Sequence, residues 1–548
     1  MQNSSVRKRS VPSGPARDAK KQRPSYPDLP SILSTALAAY TAALAAVTPA
    51  AAAPQLAQCV SSLTEALSSP PLASSEPSRA RIRSNPSFLL ALAHVEIGRA
   101  AANDGDSESA VRAFEAALAA FPGCVAACAG LARARKELAG DARGLAGVEQ
   151  ALGEAVEGAR EIVRAQIDAD GGDDVEDSSS EEAEDEEGVE TRRAGGGGEA
   201  SWAYGTEALD ELDCAQEAEE QRMLFFCQEG RVDEAADGFA DLGFTMKLSQ
   251  AVLRYEAPPT APSRAPTDPI QALHVGALDA ALPPTMHAAL LALFSPTSPF
   301  WTDHAYGPST PYFSYAMSLT IPPAPEAHTA GLSQIIGTLH SLATQLFPSA
   351  ASATWCEWWV HCRPHPHGHQ LHFDSADEGR EREGGRPRHP IVSTVMYLTD
   401  GVGGPTLVTD QRIGGGLAER GWAVYPKENR LTAFDGSVLH GVIPGRGFIP
   451  DPTRRRITFM AAFWDILETK PSATEEPGSA RPLPPPTSKR HTWTSLLPAA
   501  REDWGSATSV PALVATLDRV WEAVDPEAQA QAAIDAPLPR YEQCFQGF

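Results

Sequence analysis

The residues with the most chemistry to offer are His372 and Asp374, two positions apart, and His440 far downstream. Two imidazoles and one carboxylate make the donor set that grips a non-haem ferrous ion by one face and leaves the opposite coordination positions open for a co-substrate and oxygen. In extended chain, residues i and i+2 point the same way, so His372 and Asp374 can reach one metal while Phe373 turns into the wall. Shortly after His440 comes the run Arg454-Arg455-Arg456, whose guanidinium groups can fork onto a carboxylate.

These side chains need rigid strands to bring them together. The aromatic and β-branched run Thr354 to His361 reads as one strand, and Ile391 to Asp400 as another, closed by the glycine-rich turn Gly401 to Thr406. Leu431 to Val442 then carries the second histidine, and Arg456 to Trp464 is a last long strand with arginines at its start.

At these residues the sequence resembles the Fe(II)/2-oxoglutarate-dependent dioxygenases, specifically the prolyl-4-hydroxylase-like branch, from the Phe300-Trp301 region to Trp464. The resemblance implies a double-stranded β-helix, a jelly roll of two sheets with flanking helices and a metal at one open end. It implies His372, Asp374 and His440 as iron ligands. A basic residue early in the last strand would anchor the far carboxylate of 2-oxoglutarate. The family's pattern sets a threonine four residues after it, which selects Arg454 with Thr458; Arg456 is the second choice and Arg455 points away. Tyr397 looks like the tyrosine that contacts the co-substrate. The implied cofactors are Fe(2+), 2-oxoglutarate and O2, with ascorbate as an optional accessory. The implied reaction hydroxylates a C–H bond while 2-oxoglutarate is converted to succinate and carbon dioxide. No separate catalytic acid or base is assigned. A protein or peptide is the expected substrate; a small-molecule hydroxylase of the same class and a catalytically silent interaction scaffold are the alternatives.

Three further histidines, His365, His367 and His369, crowd the approach to His372. Proline and glycine there point to an irregular loop, and extra ligands would fill positions that oxygen needs, so they are read as outside the ligand set. His361 and Glu357 alternate along a strand and face either the cavity or a buried hydrogen bond. Phe300, Trp301, Tyr312, Phe313 and Tyr315 read as core, the alternative being that Tyr312 or Tyr315 lines a substrate mouth.

A chain of 548 residues exceeds what one core supports, so the expected class is a multidomain α + β protein. A formal net charge of -25 argues against a nucleic-acid surface over the whole chain. Eight cysteines without a CxxC pair argue against a zinc ribbon or disulfide scaffold and favour a reducing compartment.

In chain order, residues 1–30 form a basic tail expected to be disordered. Its clusters Arg7-Lys8-Arg9 and Lys20-Lys21-Gln22-Arg23 resemble a bipartite nuclear-import signal, which places the protein in the nucleus or cytoplasm; an organellar transit peptide is the rival. Neither a membrane span nor an oligomeric state is read from the sequence. Residues 31–255 are expected to be helical and repeat-like, with an acidic, disordered insertion over 168–200. Gly98, Ala110, Phe114, Ala117 and Pro122 fit the packing positions of a tetratricopeptide-like frame, and Gly105-x4-Ala110-x3-Phe114 recurs as Gly230-x4-Ala235-x3-Phe239. Plain helical hairpins fit equally. Such helices offer a surface for a protein partner or merely brace the catalytic domain. The dioxygenase domain is expected over 257–468, opening with a helical stretch Leu273 to Leu293. A Pro-rich linker over 469–490 and a helical tail over 491–548, with a helix at Val510 to Val524, complete the chain.

Overall fold

A computed structural model describes residues 49–67, 86–121, 124–138, 219–256, 269–304, 313–321, 327–376, 387–447, 453–469, 479–526 and 538–547, with scattered single positions besides. The basic tail, the acidic insertion, the Pro-rich boundary at 257–268, Pro122 and Tyr312 lie outside the described residues.

The N-terminal region is helical: α1 spans Pro49–Leu67, α2 Pro86–Asp104, α3 Ser107–Ala120 and α4 Val125–Leu138. Small residues set the closeness of packing. The Phe114 ring of α3 lies against Gly98 of α2 and Gly130 of α4, where a Cβ would come within 2.7 and 2.4 Å of it. The two sequence copies share a turn. Gly105 (φ 81°) and Gly230 (φ 80°) both take the left-handed conformation that glycine tolerates. Each closes its preceding helix with the same bond pair: Gly105 N to Ala102 O and Asp106 N to Ala101 O, then Gly230 N to Cys227 O and Arg231 N to Phe226 O. The second turn leads into α5, Val232–Asp241.

Fourteen strands follow among the described residues: β1 Met246–Leu248, β2 Val275–Asp279, β3 Tyr315–Ser318, β4 Trp355–Arg363, β5 His369–His372, β6 Val392–Tyr397, β7 Thr406–Arg412, β8 Gly421–Val424, β9 Arg430–Asp435, β10 Val438–Val442, β11 Arg456–Trp464, β12 Val510–Pro511, β13 Ala515–Leu517 and β14 Trp521–Ala523. They build a seven-stranded sheet, β12-β2-β9-β6-β11-β4-β3, a five-stranded sheet, β13-β8-β7-β10-β5, and the pair β1-β14. The pairings within them are antiparallel.

Alternation along each strand divides the core into layers. Between the two sheets, Val275, Val395, Phe434 and Met460 meet Val408, Trp422 and Val438. On the outer face of the larger sheet, Trp358, Ile457, Phe459 and Phe463 pack with α6 (Pro284–Leu293) and α7 (Ala330–Leu346) through Leu290, Leu332, Ile336 and Leu339. On the outer face of the smaller sheet, Leu371, Leu407, Leu439 and Ile443 join one cluster with Phe114, Phe226 and Phe239 of the helical region and Phe545 of the tail. The helices therefore brace the sheet that carries both histidines.

Two expectations are corrected. Val510 to Val524 is not a helix: β12 adds to β2, β13 to β8 and β14 to β1. Ala512 and Val514 enter the inter-sheet core with a period of two, and open sheet edges offer the segment cross-strand backbone partners. The stretch Leu273 to Leu293 likewise contains β2 ahead of α6, because Val275 and Ala277 alternate into the same core.

The aromatic group reads as core. Tyr315 is 5% exposed and sits opposite Trp358, and its hydroxyl meets His304 Nε2 at 2.6 Å while His304 Nδ1 lies 2.6 Å from Phe300 O. A carbonyl only accepts, so Nδ1 carries the hydrogen and Nε2 accepts from the tyrosine. Burial pushes His304 down to about 4 from 6.5. Between those values the unfolded chain binds the proton that the folded chain refuses, so stability falls as pH falls through this window. Compared with wild type, His304→Gln should lose roughly 2–3 kcal/mol less between pH 7 and pH 4.5 in urea unfolding; equal losses would refute this.

Candidate metal centre

β5 and β10 are neighbours, and their register sets His372 opposite His440. Asp374 follows two residues after β5. His372 Nε2 lies 3.6 Å from Asp374 Oδ1, and His440 Nε2 lies 3.7 Å from Asp374 Oδ2. One ligand atom from each of the three residues falls within 4.8 Å of the others, the one such group of three or more among the described residues. Ligand atoms bound to one ion at about 2.1 Å and at right angles stand about 3 Å apart, so a small inward movement closes the set on a cation.

The imidazole tautomers suit that role. His372 Nδ1 lies 2.8 Å from Gln370 O and His440 Nδ1 lies 3.0 Å from Val438 O. Both Nδ1 atoms therefore donate to carbonyls, and both bare Nε2 atoms point toward the carboxylate, as metal-bound histidines require. Ser393 Oγ of β6 donates to Asp374 Oδ2 at 2.6 Å, and His389 Nδ1 to the Asp374 carbonyl at 2.6 Å. Phe373 turns outward against Tyr541, with ring centroids 5.7 Å apart. These residues fit a divalent metal.

Charge follows the geometry. Burial works against ionised Asp374, yet His440, His372 and the Ser393 hydroxyl outweigh it and hold the carboxyl well below its usual range. Burial also opposes a proton on His372, but Asp374 prevails and its pKa rises. His440, more deeply buried, is pushed down to about 4. The pocket concentrates negative charge where the two Nε2 atoms converge.

The remaining expected residues are distributed around this group. His365 accepts from Gly403 N at 2.9 Å and meets Arg446 O at 3.0 Å, which is a loop-holding role. The His369 ring is 4.7 Å from His372 and 5.1 Å from His361, but His365, His367 and His369 stay outside the ligand group. Glu357 accepts from Ser314 Oγ, deep in the structure. Tyr397 is fully buried, with its hydroxyl 2.5 Å from Thr406 Oγ1 and 3.2 Å from Val424 O. Thr458 is its partner on β11.

The structure gives the three arginines of the run different settings. Arg454 precedes β11 in a turn on Asp451, is exposed, and donates to Asp400 O at 2.7 Å and Asp400 Oδ1 at 2.8 Å. Strand alternation does not extend to it. Arg455 reaches the helical region, where a Cβ on Gly105 would fall 1.6 Å from its Nη2. Arg456 begins β11 and is 3% exposed, yet its Nε and Nη1 have no hydrogen-bond partner among the described residues. A buried, unsatisfied guanidinium is costly and calls for an anion. Sequence reasoning missed Ser393; its only signal was a shared face with Val395 and Tyr397, three positions alternating along one strand.

No family model matches the chain, and no curated protein matches it. Among solved structures, the chain is similar to a prolyl-4-hydroxylase of Pseudomonas putida, with 20% identity and a TM-score of 0.22 over 35% of this chain and 89% of that one. It is also similar to AviO1 from Streptomyces viridochromogenes Tue57, with 17% identity and a TM-score of 0.23 over 39% of this chain and 100% of that one. Likeness at this level carries no weight for the site, which stands on its own geometry.

Protons compete with a metal for these ligands. Affinity for Co(II), followed by its visible absorption, should therefore fall as pH is lowered through the raised pKa of His372. Ser393→Ala should weaken Co(II) binding by roughly tenfold without unfolding the chain, and an unchanged affinity would show that Ser393 does not orient Asp374.

Proposed function

We propose that the protein is an Fe(II)- and 2-oxoglutarate-dependent dioxygenase that hydroxylates a C–H bond on a protein or peptide, prolyl-hydroxylase-like, on a double-stranded β-helix. The observation that carries this reading is the convergence of His372 Nε2, His440 Nε2 and the Asp374 carboxylate on one point. The unsatisfied guanidinium of Arg456 on the inner side of β11 supports the choice of co-substrate.

In this reading His372, Asp374 and His440 hold ferrous iron. Bound iron supplies the oxidative chemistry, linking O2 to conversion of 2-oxoglutarate into succinate and carbon dioxide and to hydroxylation of the substrate. The chain's own residues do the rest. The carbonyls of Gln370 and Val438 fix the two imidazole tautomers, and Ser393 fixes Asp374, so the ligand set is ready before anything binds. Arg456, rather than Arg454, holds the far carboxylate through paired N–H donors. Tyr397 and Thr458 wall the pocket beside it. Trp422 and Met460 in the inter-sheet core exclude water. Trp355 and Trp359, half-buried on the inner side of β4, offer apolar surface for a peptide. The helices α2 to α4, packed in tetratricopeptide-like fashion, serve first as a brace.

The test is turnover of 2-oxoglutarate to succinate by the full chain. It should require Fe(II) and O2, and His372→Ala should lower it by roughly a thousandfold or more; turnover that survives in this variant would sink the reading. Arg456→Gln should raise KM for 2-oxoglutarate by about tenfold or more, whereas Arg454→Gln should change it little. The reverse pattern would return the anchor to Arg454.

A further inference from the structure

The inner face of the larger sheet carries a second arginine beside Arg456. β11 and β4 run antiparallel with Arg456 opposite Arg363, Thr458 opposite His361 and Met460 opposite Trp359. Trp358 and Val360 of β4 face the outer, helix-covered layer, whereas Met460 faces the inter-sheet core. Alternation therefore turns Trp359, His361 and Arg363 inward beside Met460, Thr458 and Arg456. Cβ atoms of directly opposed residues on one sheet face stand about 4.5–5.5 Å apart, so two guanidinium groups share one corner. That corner is continuous with the metal centre: the His361 ring is 5.1 Å from His369, and His369 is 4.7 Å from His372.

The charges acting on this corner agree with the geometry. Those acting on Arg456 belong to Tyr397, Arg363 and Tyr255, with no carboxylate of the described residues among them. Burial, with Arg363 alongside, pushes Arg456 down to about 10. Neighbouring cations in a desolvated site repel unless an anion lies between them, and Nε and Nη1 of Arg456 still have their hydrogens to give.

We propose that Arg363 is a second anchor for the far carboxylate of the co-substrate, closing on it from β4 while Arg456 closes from β11. The inference rests on reading this pocket as a 2-oxoglutarate site. A carboxylate has two oxygens and about four lone-pair directions, enough for a guanidinium on each side. Two such partners make the pocket select strongly for a diacid over a keto acid of equal length that ends in a methyl group.

The test measures binding by calorimetry to the full-length, Co(II)-loaded protein, with 2-oxoglutarate and with 2-oxopentanoate, which lacks the far carboxylate. Arg363→Gln should weaken 2-oxoglutarate by about tenfold or more and leave 2-oxopentanoate within about twofold. Arg363→Lys, which keeps the charge but not the fork, should fall between, and the exposed control Arg454→Gln should match wild type. If Arg363→Gln binds 2-oxoglutarate as wild type does while Arg456→Gln does not, the second anchor is overturned and the pocket reading survives. If wild type does not discriminate between the two acids, both fall. Should Arg363→Gln fail to fold, Arg363→Lys decides: a loss confined to the diacid supports the proposal, and unchanged diacid affinity overturns it.

Discussion

The pairing of β5 with β10 is the constraint on which the site depends. It sets His440 opposite His372 although 67 residues separate them, and a slip of one residue would turn one imidazole to the outer face. The register is held from outside. Leu371 and Leu439, the strand neighbours of the two histidines, are buried in the cluster shared with the helical region, so apolar burial on one face specifies metal ligation on the other. The same alternation sends Phe373 outward between His372 and Asp374.

The helical region and the last strands hold the sheets together. Arg446, on the loop after β10, donates to Arg254 O at 2.9 Å, Tyr255 O at 2.6 Å and Gln228 O at 2.8 Å. The Tyr255 hydroxyl accepts from Arg446 N at 2.9 Å. Carbonyls at the end of a helical segment thus find a charged donor, and the loop leading to β11 gains a fixed path toward Arg456. On the other side, β12 and β13 cover the two sheet edges farthest from β3 and β5. β3 is bridged on its outer side by Arg481, and Leu371 N of β5 donates to Gln546 Oε1 at 3.0 Å.

Electrostatics divides the interior into two ends. Near Asp374 the imidazoles and the Ser393 hydroxyl stabilise a negative charge under heavy desolvation. The charges acting on Arg456 belong to Tyr397, Arg363 and Tyr255, and Asp279 is taken up by Arg430 at 2.6 Å and Lys427 at 2.7 Å.

Local pattern alone determined a good deal. The strand at Arg456–Trp464, the helix at Ala330–Leu346, and the donor types at His372, Asp374 and His440 are all written in adjacent residues, because periodicity and side-chain chemistry are local properties. The tail could not be read in this way: Val510 to Val524 becomes strand only because distant sheet edges offer it backbone partners. Nor could the different settings of Arg454 and Arg456, since the two share chemistry and strand parity and differ only in whether the strand has begun. Ser393, Arg363 and Tyr255 acquire their places from partners 19, 93 and 191 residues away in the chain, and only tertiary packing, which pairs strands and turns one face inward, decides which polar side chains meet.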